Sequence, residues 1–251
     1  MDGVSLTFNV LAYLALAIFW VGVGYRLWVW AETPVPLKIP TTPAPETLGG
    51  VSVRMAGEVF LFRSLLRGDK ALWLGGWTFH GALLLILLKH LRYFLFPVPA
   101  WVAGLNHIGL YAGEFILIPL LFLLVRRFLL EQVRYISVLS DYLVLLLIMA
   151  IAFTGLVMKF VAGVDIVAVK AFMLGIITLS PAAMPTSPWF LVHFSLVLVL
   201  LVYFPFSKLM HAGGVFLSPT RNQRDDGRIR RYANPWDYPA ESGEVTTFGG
   251  G

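Results

Sequence analysis

Cysteine is absent from the chain. Its absence excludes disulfides, cysteine-ligated iron–sulfur clusters, zinc–thiolate sites and covalently attached c-type haem. Any redox centre must therefore be a cofactor held non-covalently by His, Met, Tyr or a carboxylate. Charge is scarce too. Asp, Glu, Lys and Arg make up only 13% of the 251 residues, against about 25% in a soluble domain. Hydrophobic residues take their place, at 58% with a mean hydropathy of +0.79. Soluble domains hold about 45–50%. So much apolar surface has no water-facing place to sit, which makes lipid the solvent. No secretory signal peptide is expected, because Met-Asp-Gly leads directly into an apolar stretch without a basic opening.

A helix needs about 20 apolar residues to cross the hydrocarbon core. Five stretches qualify, at residues 5–28, 72–96, 106–130, 141–161 and 189–211. The first carries no charge before Arg26, and Trp28, Trp30, Trp73, Trp101 and Trp189 mark span ends as an interfacial aromatic belt. Residues 164–179 are apolar but short, contain Asp165 and Lys170, and precede Pro181, Pro185 and Pro188. They read as an interfacial or re-entrant helix, with a sixth span as the alternative. With five spans, fifteen Lys and Arg residues fall on the side holding the loop after Trp28, the loop around residues 126–140 and the tail. Only Lys89, Arg92, Lys159 and Lys170 fall on the other side. The basic side is expected to be cytoplasmic. The fold expected is therefore an all-α integral membrane bundle of five transmembrane helices plus short amphipathic helices. Its N-terminus lies outside and its C-terminus in the cytoplasm of a multi-pass inner-membrane protein.

Residues 1–217 are expected to form the transmembrane domain and 218–251 a basic cytoplasmic tail. Residues 33–50, rich in Pro and Thr, read as an irregular loop. VRMAGEVFLFRSLL, residues 53–66, carries an apolar stripe opposite Arg54, Glu58 and Arg63, which suits a helix lying on the inner surface. The strip 219–231 is basic. It reads either as positive-inside anchoring or as a docking strip for a cytoplasmic partner. No nucleic-acid partner is expected.

Four of the five histidines lie inside two spans. Ionisable groups at membrane depth are costly and usually functional. His80 and His90 lie ten residues apart on the second span, and His193 and His211 eighteen apart on the fifth. The two spans run in opposite directions, so depth pairs His80 with His211 near the inner face and His90 with His193 near the outer. A six-coordinate b haem needs one neutral imidazole on each side of its iron, from two facing helices. Two bis-histidine b haems are thus expected. Eighteen residues rise about 27 Å and return to the same helix face, whereas ten rise about 15 Å and leave a turn of roughly 80°. The separations do not match, and Pro205 is expected to bend the fifth span. A membrane histidine can also serve as an interhelical hydrogen-bonding group. The other class of reading is accordingly a haem-free membrane anchor or a proton-relay or transport subunit. Zinc fits poorly, since the pairs lie too far apart in depth for one tetrahedral ion.

His-x9-His and His-x17-His on a five-span layout resemble the gamma, cytochrome b, subunit of respiratory nitrate reductase. WTFHGALLLILLKHLRYF, RYISVLSDYLVLLLIMAIAFTGLVMKFVAGVDIVAVK and YFPFSKLMHAGGVFLSPTRNQRDDGRIRRYANPW narrow this. They are similar to DsrM, the membrane subunits of DsrMKJOP complexes in dissimilatory sulfur metabolism, over about residues 54–238. The resemblance implies two b haems and electron exchange with a membrane quinone, either menaquinone or ubiquinone. It also implies a cytoplasmic iron–sulfur partner like DsrK, which resembles a heterodisulfide reductase subunit, and further membrane and periplasmic subunits like DsrP, DsrJ and DsrO. It assigns the inner haem to His80 and His211 and the outer to His90 and His193. The chain itself would be an electron-transfer subunit of a quinone-linked oxidoreductase, with the sulfur chemistry left to its partners.

In relatives of this kind a basic side chain near the outer haem contacts quinone, and His107 or Arg92 can take that part. His107 is equally readable as an exposed interfacial residue. Glu114 can relay protons or pair with Arg92 or His107. Asp165 and Lys170 either form a surface ion pair, the favoured reading, or flank the quinone pocket. Haem propionates want cations. Arg63, Arg67 and Lys208 are candidates at the inner haem, and Lys89 with Arg92 at the outer.

Overall fold

The computed structural model describes residues 2–35 and 39–227. Lys38, Arg228, Arg230 and Arg231 of the basic side, and most of the expected tail, lie outside the described residues. No strand occurs among the described residues. The principal helices are α1 (Gly3–Glu32), α2 (Leu48–Leu61), α3 (Lys70–His90), α4 (Asn106–Leu129), α5 (Leu139–Val157), α6 (Ile166–Ile177) and α7 (Pro188–Tyr203). Five of them, α1, α3, α4, α5 and α7, are long and apolar enough to cross a membrane. The chain is a multi-pass membrane protein. With 12 residues, α6 rises only about 18 Å, too little for a sixth span.

Local chemistry sets where these helices start and stop. Asp69 caps α3, its Oδ1 accepting from the Leu72 N–H at 2.9 Å. Asp141 reaches back from the first turn of α5 to accept from the Val138 N–H at 3.1 Å. Asp165 caps α6 by accepting from the Val167 and Ala168 N–H groups. Pro188 opens α7, where its missing N–H costs nothing. A joint interrupts α4 at Ile116. Pro119 supplies the cause, because it has no N–H for the Phe115 carbonyl.

The chain divides into two compact units, one of residues 1–26 and 62–210, the other of 27–61 and 211–251. Within the first, one core gathers Ala12 and Ala15 of α1, Phe172 of α6 and Phe190, Phe194 and Leu198 of α7. The Phe172 and Phe194 rings meet edge-on at 5.4 Å. A second core joins Phe79 and Ala82 of α3, Ala112, Ile116 and Leu120 of α4 and Leu145 of α5. Without a hydrophobic drive between helices in lipid, small residues set the close approaches. A Cβ on Gly109 of α4 would sit 2.7 Å from the Lys89 Cβ of α3, and one on Gly75 of α3 only 2.5 Å from the Phe122 ring.

In the second unit α2 turns Glu58 toward the C-terminal segment, where Arg221 Nη1 donates to it at 2.8 Å. The Thr41 N–H donates to the Thr220 carbonyl and the Asp225 N–H to Pro45. Val53 and Phe60, on the opposite side of α2, are 70% and 72% exposed. The apolar stripe read from the sequence is thus the outward face, and the polar side is covered by the chain itself.

One expectation fails. The fifth span does not bend at Pro205 and continue to His211; it ends. α7 stops at Tyr203, a 3-10 turn covers Phe204–Phe206, and Ser207 is extended at φ −118°, ψ 173°. His211 starts a separate short turn, His211–Gly214. Pro205 cannot donate to Leu201, and the Ser207 hydroxyl accepts from the Leu209 N–H, which stabilises the departure. The rise of one straight helix therefore does not apply between His193 and His211.

Candidate functional site

Ion pairs fix the directions of the helices in the first unit. Arg126 at the end of α4 donates to Asp69 at the start of α3 at 2.6 Å. Asp141 at the start of α5 accepts from Lys208, just beyond α7, at 2.8 Å and lies 3.8 Å from Arg127 at the end of α4. So α3 and α5 begin where α4 and α7 end. His90 closes α3 and His193 lies in the second turn of α7, which puts both imidazoles toward the opposite end. There Tyr93 meets His90 edge-on, with ring centroids 5.7 Å apart, and also packs on the core holding Phe190 and Phe194.

The orientation of each ring is set through one nitrogen. His90 Nδ1 lies 2.7 Å from the Ile86 carbonyl oxygen and His80 Nδ1 2.7 Å from that of Gly76. A carbonyl only accepts, so Nδ1 carries the proton in both rings and Nε2 keeps its lone pair. His193 Nδ1 lies 3.0 Å from Thr154 Oγ1 on α5. His80, His90 and His193 are all half-buried. His80 is bracketed by Phe62 and Phe79, with centroids at 5.1 and 4.9 Å. His211 is exposed and belongs to the second unit. No cluster of three or more His, Asp or Glu side chains fit for a metal ion occurs among the described residues.

The remaining candidates separate. Arg92 Nη1 donates to Asn106 Oδ1 at 2.8 Å, and its guanidinium sits 5.7 Å from the Tyr93 ring centroid. Arg92 and Asn106, with Val98, Val102 and Ala103, line a cavity of about 220 Å³. His107 and Glu114 are exposed, as is Tyr111 between them. No ion pair joins Glu114 to Arg92 or His107. Nor do Asp165 and Lys170 pair. Five positions apart on a helix they face different ways, so Asp165 caps α6 and Lys170 Nζ lies over the Phe96 ring at 5.0 Å. Among the propionate candidates, Arg63 and Arg67 are exposed, Lys208 is engaged by Asp141, and the Lys89 stem lies against Gly109.

Sequence reasoning passed over Thr154, Gly155, Asn106 and Asp141. Asp141, at the head of an otherwise apolar span, and the Thr-Gly pair within that span were the available signals.

The nitrate reductase gamma subunit family matches residues 48–222. The chain is 41% identical to the Hdr-like menaquinol oxidoreductase cytochrome b-like subunit of Archaeoglobus fulgidus, over 92% of its own length and 83% of the relative's. It is 37% identical to the protein of that name from Archaeoglobus profundus, over 92% and 82%. The half-buried histidines, their engaged Nδ1 atoms and the five apolar spans thus sit in a chain that belongs to the nitrate reductase gamma subunit family.

Proposed function

We propose that this chain is a membrane cytochrome b that carries electrons between the quinone pool and a cytoplasmic iron–sulfur protein through two bis-histidine b haems. The observation carrying this reading is the state of the imidazoles. His80, His90 and His193 each have Nδ1 hydrogen-bonded, and an imidazole oriented through Nδ1 in this way can present Nε2 to an iron. The residues therefore fit the group. His90 and His193 would hold the outer haem. His80 and His211 would hold the inner one, as the family resemblance implies. Haem b so held supplies reversible one-electron chemistry. The protein's part is to fix the rings, to exclude water with the Phe and Tyr side chains around them, and to bring a quinone near the outer pair.

The relatives named menaquinol oxidoreductase subunits support menaquinone as the quinone. Of the five quinone-site candidates, Arg92 lines the cavity beside Asn106, so its guanidinium is the donor assigned to a quinone carbonyl. His107, Glu114, Asp165 and Lys170 have weaker claims. The excess of Lys and Arg at the Asp69–Arg126 end supports a cytoplasmic position for that end. The N-terminus then lies outside, α2 rests on the inner surface of the cytoplasmic membrane, and the segment from Pro219 faces the partner. The Hdr-like name of the relatives supports a heterodisulfide reductase-like partner. The DsrM likeness further points to DsrK with DsrP, DsrJ and DsrO subunits in sulfur metabolism.

The test uses the purified complex under anaerobic conditions. A reduced menaquinol analogue should reduce both b haems, and Arg92→Ala should slow that reduction while leaving both haem spectra intact. A preparation that contains no b haem would favour the anchor or proton-relay reading.

A further inference from the structure

The imidazoles of His80 and His90 are each tied to a carbonyl one turn back on their own helix. That of His193 is tied to a different helix. Its Nδ1 meets Thr154 Oγ1 of α5 at 3.0 Å. The same hydroxyl oxygen lies 2.8 Å from the Ala150 carbonyl and 3.0 Å from that of Ile151. A threonine hydroxyl has one hydrogen, and neither carbonyl can donate. With its hydrogen directed to Ala150 or Ile151, Oγ1 presents lone pairs to the ring, so Nδ1 is the donor and Nε2 stays bare. Thr154 is buried, 5% exposed, so no water competes for the contact. The next residue is Gly155, where a Cβ would stand 3.4 Å from His193 Cε1 and crowd the ring. A buried helix threonine bonds its own turn in any case. The third contact, across helices and onto an imidazole, is what that habit does not explain.

We propose that Thr154 is a positioning residue for His193, fixing its tautomer and ring plane and setting how strongly it donates to the outer haem iron, with Gly155 leaving room for the ring. This rests on the assignment of His193 as a haem ligand. An acceptor on Nδ1–H makes the imidazole a stronger donor through Nε2, which favours the ferric state. Losing that acceptor should raise the potential of the outer haem alone.

The experiment compares wild-type complex with Thr154→Val, Thr154→Ala and Thr154→Ser by optical redox titration of the b haems and by EPR of the ferric low-spin signals. Val and Ala should each shift one midpoint potential upward and move one low-spin signal, with the other haem unchanged, and Ser should restore both readings. Loss of one haem in Val or Ala with retention in Ser also supports the role. Val and Ala variants that keep both wild-type potentials and both signals would overturn it. A wild-type protein without b haem would instead remove the ligand assignment, and the proposed function with it.

Discussion

The two ends of the first unit are held by different forces. At one end Asp69–Arg126 and the Arg127–Asp141–Lys208 group tie four helix ends by charge. At the other, where His90 and His193 sit, the ties described are aromatic edges, an Arg92–Asn106 hydrogen bond and the Thr154 hydroxyl on His193. Charge pairs contribute little where water screens them but reach lipid headgroups and solvent readily. That suits an end whose task is to register helices at an aqueous face. Under the proposed function, the end that must keep water and stray ligands from a metal relies on rings and hydrogen bonds, and the contrast separates anchoring from chemistry within one bundle.

The largest effects should come from the imidazoles. His90→Ala and His193→Ala should each remove the same b haem and His80→Ala the other, read by haem quantitation and EPR of each variant. If His90→Ala and His193→Ala remove different haems, the outer pairing is wrong. Next in size is Gly109→Ala, whose added Cβ meets the Lys89 side chain at 2.7 Å and the Leu85 carbonyl at 3.2 Å. Overpacking of this kind costs about 1–3 kcal/mol, and because Lys89 precedes His90 it should also broaden the outer-haem EPR signal. Asp141→Asn, at the charged end, should cost about 1–2 kcal/mol, measured as a lower Tm in detergent. The full cost of a broken buried pair is not expected, since the Lys208 side chain is 71% exposed. Both haem signals should stay as in wild type. A haem shift in Asp141→Asn without one in Gly109→Ala would reverse the comparison.

The smallest effect is an acid limb. The Leu72 N–H, and then Arg126, hold the Asp69 carboxyl below its usual value. A carboxyl lowered on folding adds stability above its unfolded pKa, about 3.9, and loses it as pH falls through the lower folded value. Asp69→Asn should therefore lower Tm slightly at neutral pH and flatten its loss below about pH 4, so that variant and wild type converge in acid.

Most of the scaffold was legible in the sequence. An uninterrupted run of apolar residues has one stable form in lipid, so all five spans declared themselves, and the shortness of 164–179 ruled against a sixth. That His90 and His193 share one end of the helices was equally readable, because it needs only helix direction. What escaped needed side-chain geometry. Nothing in the pattern tells whether Pro205 bends a helix or ends it; the Ser207 hydroxyl decided that. Lys208 looked available for a propionate until Asp141, from another span, lay 2.8 Å away. Thr154 was invisible because one hydroxyl in an apolar helix usually serves only its own turn.

The central claim stands on haem stoichiometry. The purified wild-type protein, assayed by pyridine haemochrome against chain concentration and by EPR, should contain two b haems per chain, both low-spin with histidine pairs. One haem per chain, none, or a high-spin signal in the native protein would contradict the account.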